Sequence, residues 1–554
     1  MSDLHSVLSP PGVDIQSKTN GKLLYAYYGL PFAEPPVGQL RFRPPAPYNG
    51  RDPDRVISSS GFRESCFQFP PAPNPMSEDC LHLNVFVPPS SSQTLKKVMV
   101  WVHGGGFTGE NVQPYKPTDL VADYDVIVVT FHYRLGYLGF LSTGDEASPG
   151  NYGLRDQVMA LKWVKDNIRA FGGDADDVTV FGESAGSLSV SLLSLSPLAS
   201  GLFTKVVMQS GSALAPYTVQ ERERSLEEFY KLAQRLDCLP WYYHFTARFF
   251  IRSAGHESMV NCMRGKPVEL VIPAIGRGSG RFMDVSHSVY ARPTVDGEFL
   301  PKLPRVLLND LNYLQQNGVL SRSYVSGHTN NEAAFLFNLI VGKNFNVFAT
   351  DANMRSFAED NAKFFFPLGV NQQAVDMVDF LYSYPRDAND RPTFQNFVDL
   401  WTDSFYAWPN LELITLLSEK SPSTPIYQYL FDHFPDLLDK NATKEGTGHG
   451  FDILYLFDDD HHPLLDGILD LTTRESRTMK EVFRSSLAAF AKTGVPSVTS
   501  NGVASISWPR FDNKDRMYIA LSPNSQQRKR VFSQRMSLWQ DYLPKVVPNY
   551  FRRG

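Results

Sequence analysis

The chain has 554 residues, a formal net charge of −5 and 42% hydrophobic residues, the balance of a mildly acidic protein with enough apolar material for a large core. It carries no polybasic segment and no RNA-binding aromatic motif, so nucleic acid is not an expected partner. No apolar run approaches the roughly 18 residues that a transmembrane helix needs, so no membrane anchor is expected.

A length rule alone would divide such a chain into about three or four domains. No Gly/Ser linker, low-complexity tract, charge block or internal repeat marks a cut, so residues 1–554 are expected to form a single domain. The first ten residues, MSDLHSVLSP, lack the charged-then-apolar pattern of a secretory signal, which fits either a processed mature chain or a cytosolic one. The last six, NYFRRG, carry neither a retention tetrapeptide nor a lipid-anchor tail.

From the N-terminus, residues 23–28 (LLYAYY) read as a short strand. The proline-rich GLPFAEPPVGQLRFRPP that follows reads as an ordered surface wrap, because its prolines forbid helix and central strand. Residues 77–87 (SEDCLHLNVFV) alternate as a strand does, and Arg41 and Glu78 are candidates for a buried ion pair. Residues 97–103 (KVMVWVH) form a near-continuous apolar strand with Gly104-Gly105-Gly106 directly after it. Three glycines at the end of a buried strand let backbone N–H groups point into a common space, which is how an oxyanion hole is made without side chains. Residues 126–131 (VIVVTF) are another buried strand, and 153–169 form a helix with Leu154, Val158, Leu161, Val164 and Ile168 on one face.

Residues 178–190 (VTVFGESAGSLSV) then read as strand, sharp turn and helix around Gly182-Glu183-Ser184-Ala185-Gly186. This is the context a GxSxG nucleophile elbow requires, with a serine on a strained turn and small residues two positions either side. The pentapeptide alone is weak, with about 0.2 chance matches in this length. Its pairing with the upstream glycine loop is what makes it informative. Residues 206–210 (VVMQS) are the next strand, and parallel-type strands alternating with helices describe a doubly wound α/β sheet with its site at the strands' carboxyl ends.

After about residue 215 the pattern turns helical and aromatic, including Trp241-Tyr242-Tyr243-His244-Phe245, as expected of a helical cap. Strands resume at 324–326 and 426–431. A serine nucleophile needs a base, and the base an acid, in the order Ser, Asp/Glu, His in this kind of fold. Of the six histidines well beyond Ser184 (His287, His328, His433, His449, His461 and His462), His449 is preferred because it lies in the bending loop Gly446-Thr447-Gly448-His449-Gly450 before the apolar run 451–457. Glu332, in a loop after strand 324–326, is one of several carboxylates in the right order. Asp458-Asp459-Asp460-His461-His462 resembles a metal cluster, but with no complementary cluster it reads as a solvated loop; no metal and no cofactor are expected. The four cysteines, Cys66, Cys80, Cys238 and Cys262, include no CxxC pair and fall as two local pairs enclosing 13 and 23 residues. Local disulfides imply an oxidising compartment, so the cysteines disagree with the N-terminus, and the balance favours secretion over the cytoplasm.

The segments GLPFAEPPVGQLRFRPP, SEDCLHLNVFVP, HGGGF, FGGDADDVTVFGESAG, MQSGS, GHTNNEA and GHGFDILYLF, in this order, resemble the type-B carboxylesterase/cholinesterase family from about residue 10 to about residue 545. The resemblance implies an α/β-hydrolase fold: a large, mostly parallel central sheet flanked by helices, with a helical cap. It implies Ser184 as nucleophile, His449 as base and Glu332 as orienting acid, with an oxyanion hole from Gly105, Gly106 and Ala185 and with Glu183 and Ser210 supporting them. It also implies the disulfides Cys66–Cys80 and Cys238–Cys262, and a small-molecule carboxylic ester as substrate. His82, Ala175 and Ala333 depart from the usual family residues without removing a reacting group. The loop between Cys66 and Cys80 has no tryptophan to hold a quaternary ammonium, which argues against cholinesterase activity. The expected function is therefore a serine carboxylesterase, with a lipase, a cholinesterase-type hydrolase or a non-catalytic adhesion homologue as alternatives. Oligomeric state is left open, and Asn441-Ala442-Thr443 is a single candidate glycan site.

Overall fold

The computed structural model describes residues 12–17, 21–50, 61–89, 94–239, 253–272, 291–335, 337, 348–365, 372–438, 446–458, 469–500 and 503–547. The aromatic stretch 241–245, the sequon at Asn441, His287, and the run 459–462 lie outside them. One compact unit comprises residues up to 204 with 218–278 and 287–302; the other comprises 205–217, 279–286 and the chain from 303 onward.

In the first unit six strands carry the sheet: β1 (Val13–Gln16), β2 (Leu23–Pro31), β3 (His82–Val87), β4 (Lys96–Val102), β5 (Ile127–Phe131) and β6 (Gly173–Glu183), ordered β1-β2-β3-β5-β4-β6. The wholly buried IVVTF of β5 pairs parallel with β4, and β4 pairs parallel with β6. Such strands are apolar end to end because both faces are covered. β1, β2 and β3 are joined in antiparallel ladders, and β3 meets β5 antiparallel, so the sheet is mixed. Helix α1 (Tyr152–Asn167) buries Leu154, Val158, Leu161 and Val164 and packs on β6. It runs into a 3₁₀ turn that Gly172 closes in the left-handed conformation, φ 79°. Helix α2 (Ala185–Leu195) is buried along its whole length against β6 and β4. Helices α3 (Arg222–Arg235) and α4 (Ser253–Arg264) follow in the inserted part of the unit.

Both disulfides form, Cys66–Cys80 and Cys238–Cys262. The expected ion pair also forms, with Arg41 buried and Glu78 only partly so: Arg41 Nε and Nη2 donate to the two carboxylate oxygens of Glu78 at 2.7 and 2.5 Å. Arg41 Nη1 reaches the carbonyls of Met263, Arg264 and Lys266, while Arg264 Nε returns a bond to Arg41 O at 2.9 Å. One guanidinium thus ties the first disulfide loop to the end of the helix that carries Cys262. Arg41→Met would leave the partly buried Glu78 carboxylate without its cation and remove the bonds to three carbonyls, a change expected to cost about 1.5–3 kcal/mol. A fall of that size in unfolding free energy from urea titration is expected, and an unshifted midpoint would show that the pair contributes nothing.

In the second unit the strands are β7 (Lys205–Gln209), β8 (Ser323–Thr329), β9 (Ile426–Phe431), β10 (Met517–Leu521) and β11 (Gln526–Lys529), neighbours in that order. β7 to β10 are parallel, and β11 returns antiparallel. Gly327 in β8 lies opposite Tyr429 in β9, where a Cβ would sit 2.2 Å from the tyrosine ring, so only glycine fits. Helix α5 (Phe394–Thr402) opens on a Thr393/Asn396 capping box and continues through one π turn, Asp403–Ala407, into α6 (Trp408–Lys420). Helix α7 (Arg474–Thr493) starts on Thr473, whose hydroxyl accepts from the Ser476 amide, and ends on left-handed Gly494.

Candidate active site

Ser184 stands between β6 and α2 at φ 55°, ψ −125°, a backbone region that costs of order 1–3 kcal/mol and persists only where the surroundings impose it. They do so here through glycine. A Cβ on Gly186 would lie 2.0 Å from the Val102 carbonyl oxygen, and one on Gly182 would lie 2.7 Å from the Gly186 carbonyl carbon and the Val102 oxygen. Strand and helix therefore meet backbone to backbone, and the residue between them is forced outward. The Ser184 side chain does not cap its own helix.

Val102 ends β4, and the glycine loop begins two residues later. Gly105 and Gly106 take left-handed φ values of 87° and 62°, and a Cβ on Gly105 would strike Gly109 O at 2.1 Å. The amides of Thr108 and Gly109 both donate to Gly105 O, which closes the turn. A Cβ on Gly104 would be 3.2 Å from that of Ser184, so the loop lies directly against the elbow. Tyr133 OH donates to His103 O at 2.9 Å, and the buried His103 ring stacks on Tyr133. Burial, helped by the neighbouring His132, lowers the His103 pKa to about 3, so the ring beneath the glycines stays neutral. Gln68, from the first disulfide loop, exchanges hydrogen bonds with the Glu110 backbone and braces the far end of the turn.

In the second unit, His449 Nδ1 and Glu332 Oε2 are 2.6 Å apart. Glu332 Oε1 accepts from Ser210 OH at 2.6 Å and from the Thr329 amide at 2.7 Å. Burial pushes the Glu332 pKa up, but the hydrogen bonds from His449 and Ser210 and the charge of His449 outweigh it and hold the carboxyl below its usual range. The loops are laced together by backbone: His449 N donates to Glu332 O at 2.9 Å, and Asn331 N to Thr447 O at 3.1 Å. Gly446 and Gly450 supply φ values of 82° and 76° at the two bends. The Tyr406 ring, on the π turn, lies 4.8 Å from the His449 ring centre.

Behind this pair is a carboxyl that the sequence reading missed. Asp452 is fully buried in the 3₁₀ helix Phe451–Tyr455 and accepts from Gln209 Nε2 at 3.1 Å and Tyr429 OH at 3.0 Å. Burial raises its pKa to about 6. One acidic residue inside FDILYLF was the signal available. Another buried carboxyl, Asp403, accepts from Tyr382 OH at 2.6 Å and pairs with Arg535 Nε at 2.8 Å; burial pushes it to about 7.

The remaining sequence candidates fall elsewhere. His328 is buried, with Nδ1 2.8 Å from Thr329 O and its ring near Phe532, and His433 packs on Tyr455. Asp458 pairs with Arg484 at 2.5 Å. No helix among the described residues is long and apolar enough to cross a membrane.

A profile described as the carboxylesterase family matches residues 12–539. Carboxylesterase 1E of Mus musculus is 32% identical, over 97% of this chain and 94% of its own. Cocaine esterase of Homo sapiens is 31% identical over 94% of this chain and 88% of its own, and the cholinesterase of Mus musculus is 30% identical over 95% and 84%. The chain belongs to the carboxylesterase family, with the α/β-hydrolase fold of that family, and is a carboxylic ester hydrolase.

Proposed function

We propose that this member of the carboxylesterase family hydrolyses small carboxylic esters through an acyl-enzyme on Ser184, with His449 as general base and Glu332 as the acid that orients it. The observation that carries the reading is the 2.6 Å bond between His449 Nδ1 and Glu332. An ionised carboxylate only accepts, so the proton is fixed on Nδ1 and Nε2 is left as the basic nitrogen. The strained backbone of Ser184 and the left-handed glycines at 105 and 106 support the other half.

In the proposed cycle His449 Nε2 takes the proton of Ser184 as its oxygen bonds to the acyl carbon. The carbonyl electron pair moves onto oxygen, where the amide N–H groups of Gly105, Gly106 and Ala185 stabilise it. The alcohol leaves with the proton returned by His449, and water repeats the sequence on the acyl-enzyme. Ser210 acts from behind, donating to the Glu332 oxygen that His449 does not use, whereas the Glu183 carboxylate lies against the glycine loop, where a Cβ on Gly104 would be 3.0 Å from it.

The base must be neutral, so activity is expected to fall as pH drops through roughly 6–6.5, the ordinary imidazole range. Glu332 does not cause that fall. Its lowered pKa keeps it ionised there, and its contribution to stability is lost only at lower pH, as pH falls through the depressed value. A pH–rate profile of kcat/KM flat down to pH ~4.5 would remove His449 from the role of base.

Stoichiometric labelling of Ser184 by an organophosphate separates an esterase from an adhesion homologue, which stays unlabelled. Short p-nitrophenyl esters are the preferred substrates in this reading; turnover confined to long-chain triglycerides or acetylthiocholine would replace it with a lipase or cholinesterase. The two disulfides suit a secreted or lumenal protein.

A further inference from the structure

A second acid–histidine–hydroxyl relay lies in the first unit, apart from the elbow. Asp145 is in the loop before α1, Tyr230 is on α3, and His256 is in the first turn of α4. His256 Nδ1 is 2.6 Å from Asp145 Oδ2, and His256 Nε2 is 2.8 Å from Tyr230 OH. The other Asp145 oxygen accepts from the Thr143 hydroxyl at 2.6 Å and the Ala147 amide at 3.1 Å, which fixes the carboxylate.

The chemistry sets the direction of both bonds. The carboxylate can only accept, so Nδ1 carries a proton; in the neutral imidazole Nε2 then presents its lone pair, and Tyr230 donates to it. The imidazole is buried, whereas Tyr230 is only partly so. The parts are held before any ligand arrives: the Cys238–Cys262 disulfide and the Arg264–Arg41 bond anchor α4, and the Phe229 ring packs on His256 at 5.5 Å. A hydroxyl donating to a buried imidazole, itself oriented by a fixed carboxylate, is the arrangement that activates a nucleophile.

We propose that Asp145, His256 and Tyr230 form a second nucleophilic site, at which the Tyr230 phenol accepts the acyl group of an activated carboxylic ester. The phenol proton passes to His256 Nε2 as the tyrosine oxygen bonds to the acyl carbon. The bond to the leaving group breaks with its electron pair, p-nitrophenolate departs, and the imidazolium returns its proton to solvent. The product is an acyl-tyrosine.

The test uses full-length Ser184→Ala protein, which removes the proposed primary nucleophile, treated with p-nitrophenyl acetate and mapped by peptide mass spectrometry. Tyr230 is expected to acetylate faster than Tyr384, although Tyr384 is 60% exposed. In His256→Gln on the same background, Tyr230 acetylation is expected to slow about 100-fold, the lower end of what a positioned base supplies. Acetylation of Tyr230 no faster than that of Tyr384 overturns the proposal, and so does a rate unchanged by His256→Gln. The comparison with Tyr384 is made within one protein, so it decides the matter even where His256→Gln does not fold. It reads Tyr230 directly and stands whether or not Ser184 is the nucleophile of ester hydrolysis.

Discussion

Ser184→Ala is expected to lower kcat for a short p-nitrophenyl ester by about 10⁵–10⁶-fold, His449→Ala by a similar factor, and the double variant by no more than either alone. In the proposed cycle serine and imidazole would act as one unit: without the hydroxyl there is no proton for the base to take, and without the base the hydroxyl is a poor nucleophile. Additive losses would mean that the two residues serve separate steps. Glu332→Gln belongs to the same experiment and carries a sharper argument. Glu332 Oε1 accepts from the Thr329 amide and Ser210. The Thr329 amide can only donate, so a glutamine must keep its oxygen there and turn its NH₂ toward His449 Nδ1. Nδ1 then has to accept, the proton moves to Nε2, and the base faces the reaction in the wrong tautomer. A loss of about 10⁴-fold in kcat is expected with the fold retained. A Glu332→Gln enzyme within tenfold of wild type would show that the tautomer does not matter.

Apolar runs made the strands legible. Residues 426–431 are β9 to the residue, and the helix expected at 153–169 is α1 with its 3₁₀ extension. The start of β6 was not legible, because Gly173–Asp177 is polar and reads as loop. It pairs with β4 across a bulge between Lys96 and Val98, and Lys97 bridges Asp174 and Asp177 at 3.1 and 2.8 Å. Local composition cannot announce a partner strand some 75 residues away. The run 451–457 carries no period that separates strand from helix, and left-handed Gly450 starts it as a 3₁₀ helix. The site divides in the same way. Ser184 and His449 have glycines beside them because their backbones must bend, whereas Glu332 needs none and stood out only through the family resemblance. Asp452 and Tyr406 reach the site by packing, which no short motif records.

Gly186→Ala is expected to prevent folding or to cost more than about 4 kcal/mol, a large share of an ordinary domain's stability. The added Cβ would lie 2.0 Å from Val102 O, 2.8 Å from Val102 C and 2.9 Å from His103 O. All three are backbone atoms of β4 and its continuation, so no side chain can rotate away, and α2 must move off the sheet. Gly201→Ala is the control: its φ is +75°, but a Cβ there meets nothing within 4 Å, so only the left-handed penalty of about 1–2 kcal/mol applies. Urea midpoints distinguish the two, and equal shifts would mean that close approach at the elbow is not what requires glycine. Gly186→Ala protein that does fold is expected to lose kcat as well. The contact that holds α2 against β4 also sets the distance between Ser184 and the glycine loop, so relieving the clash separates the nucleophile from the amides proposed to receive the oxyanion.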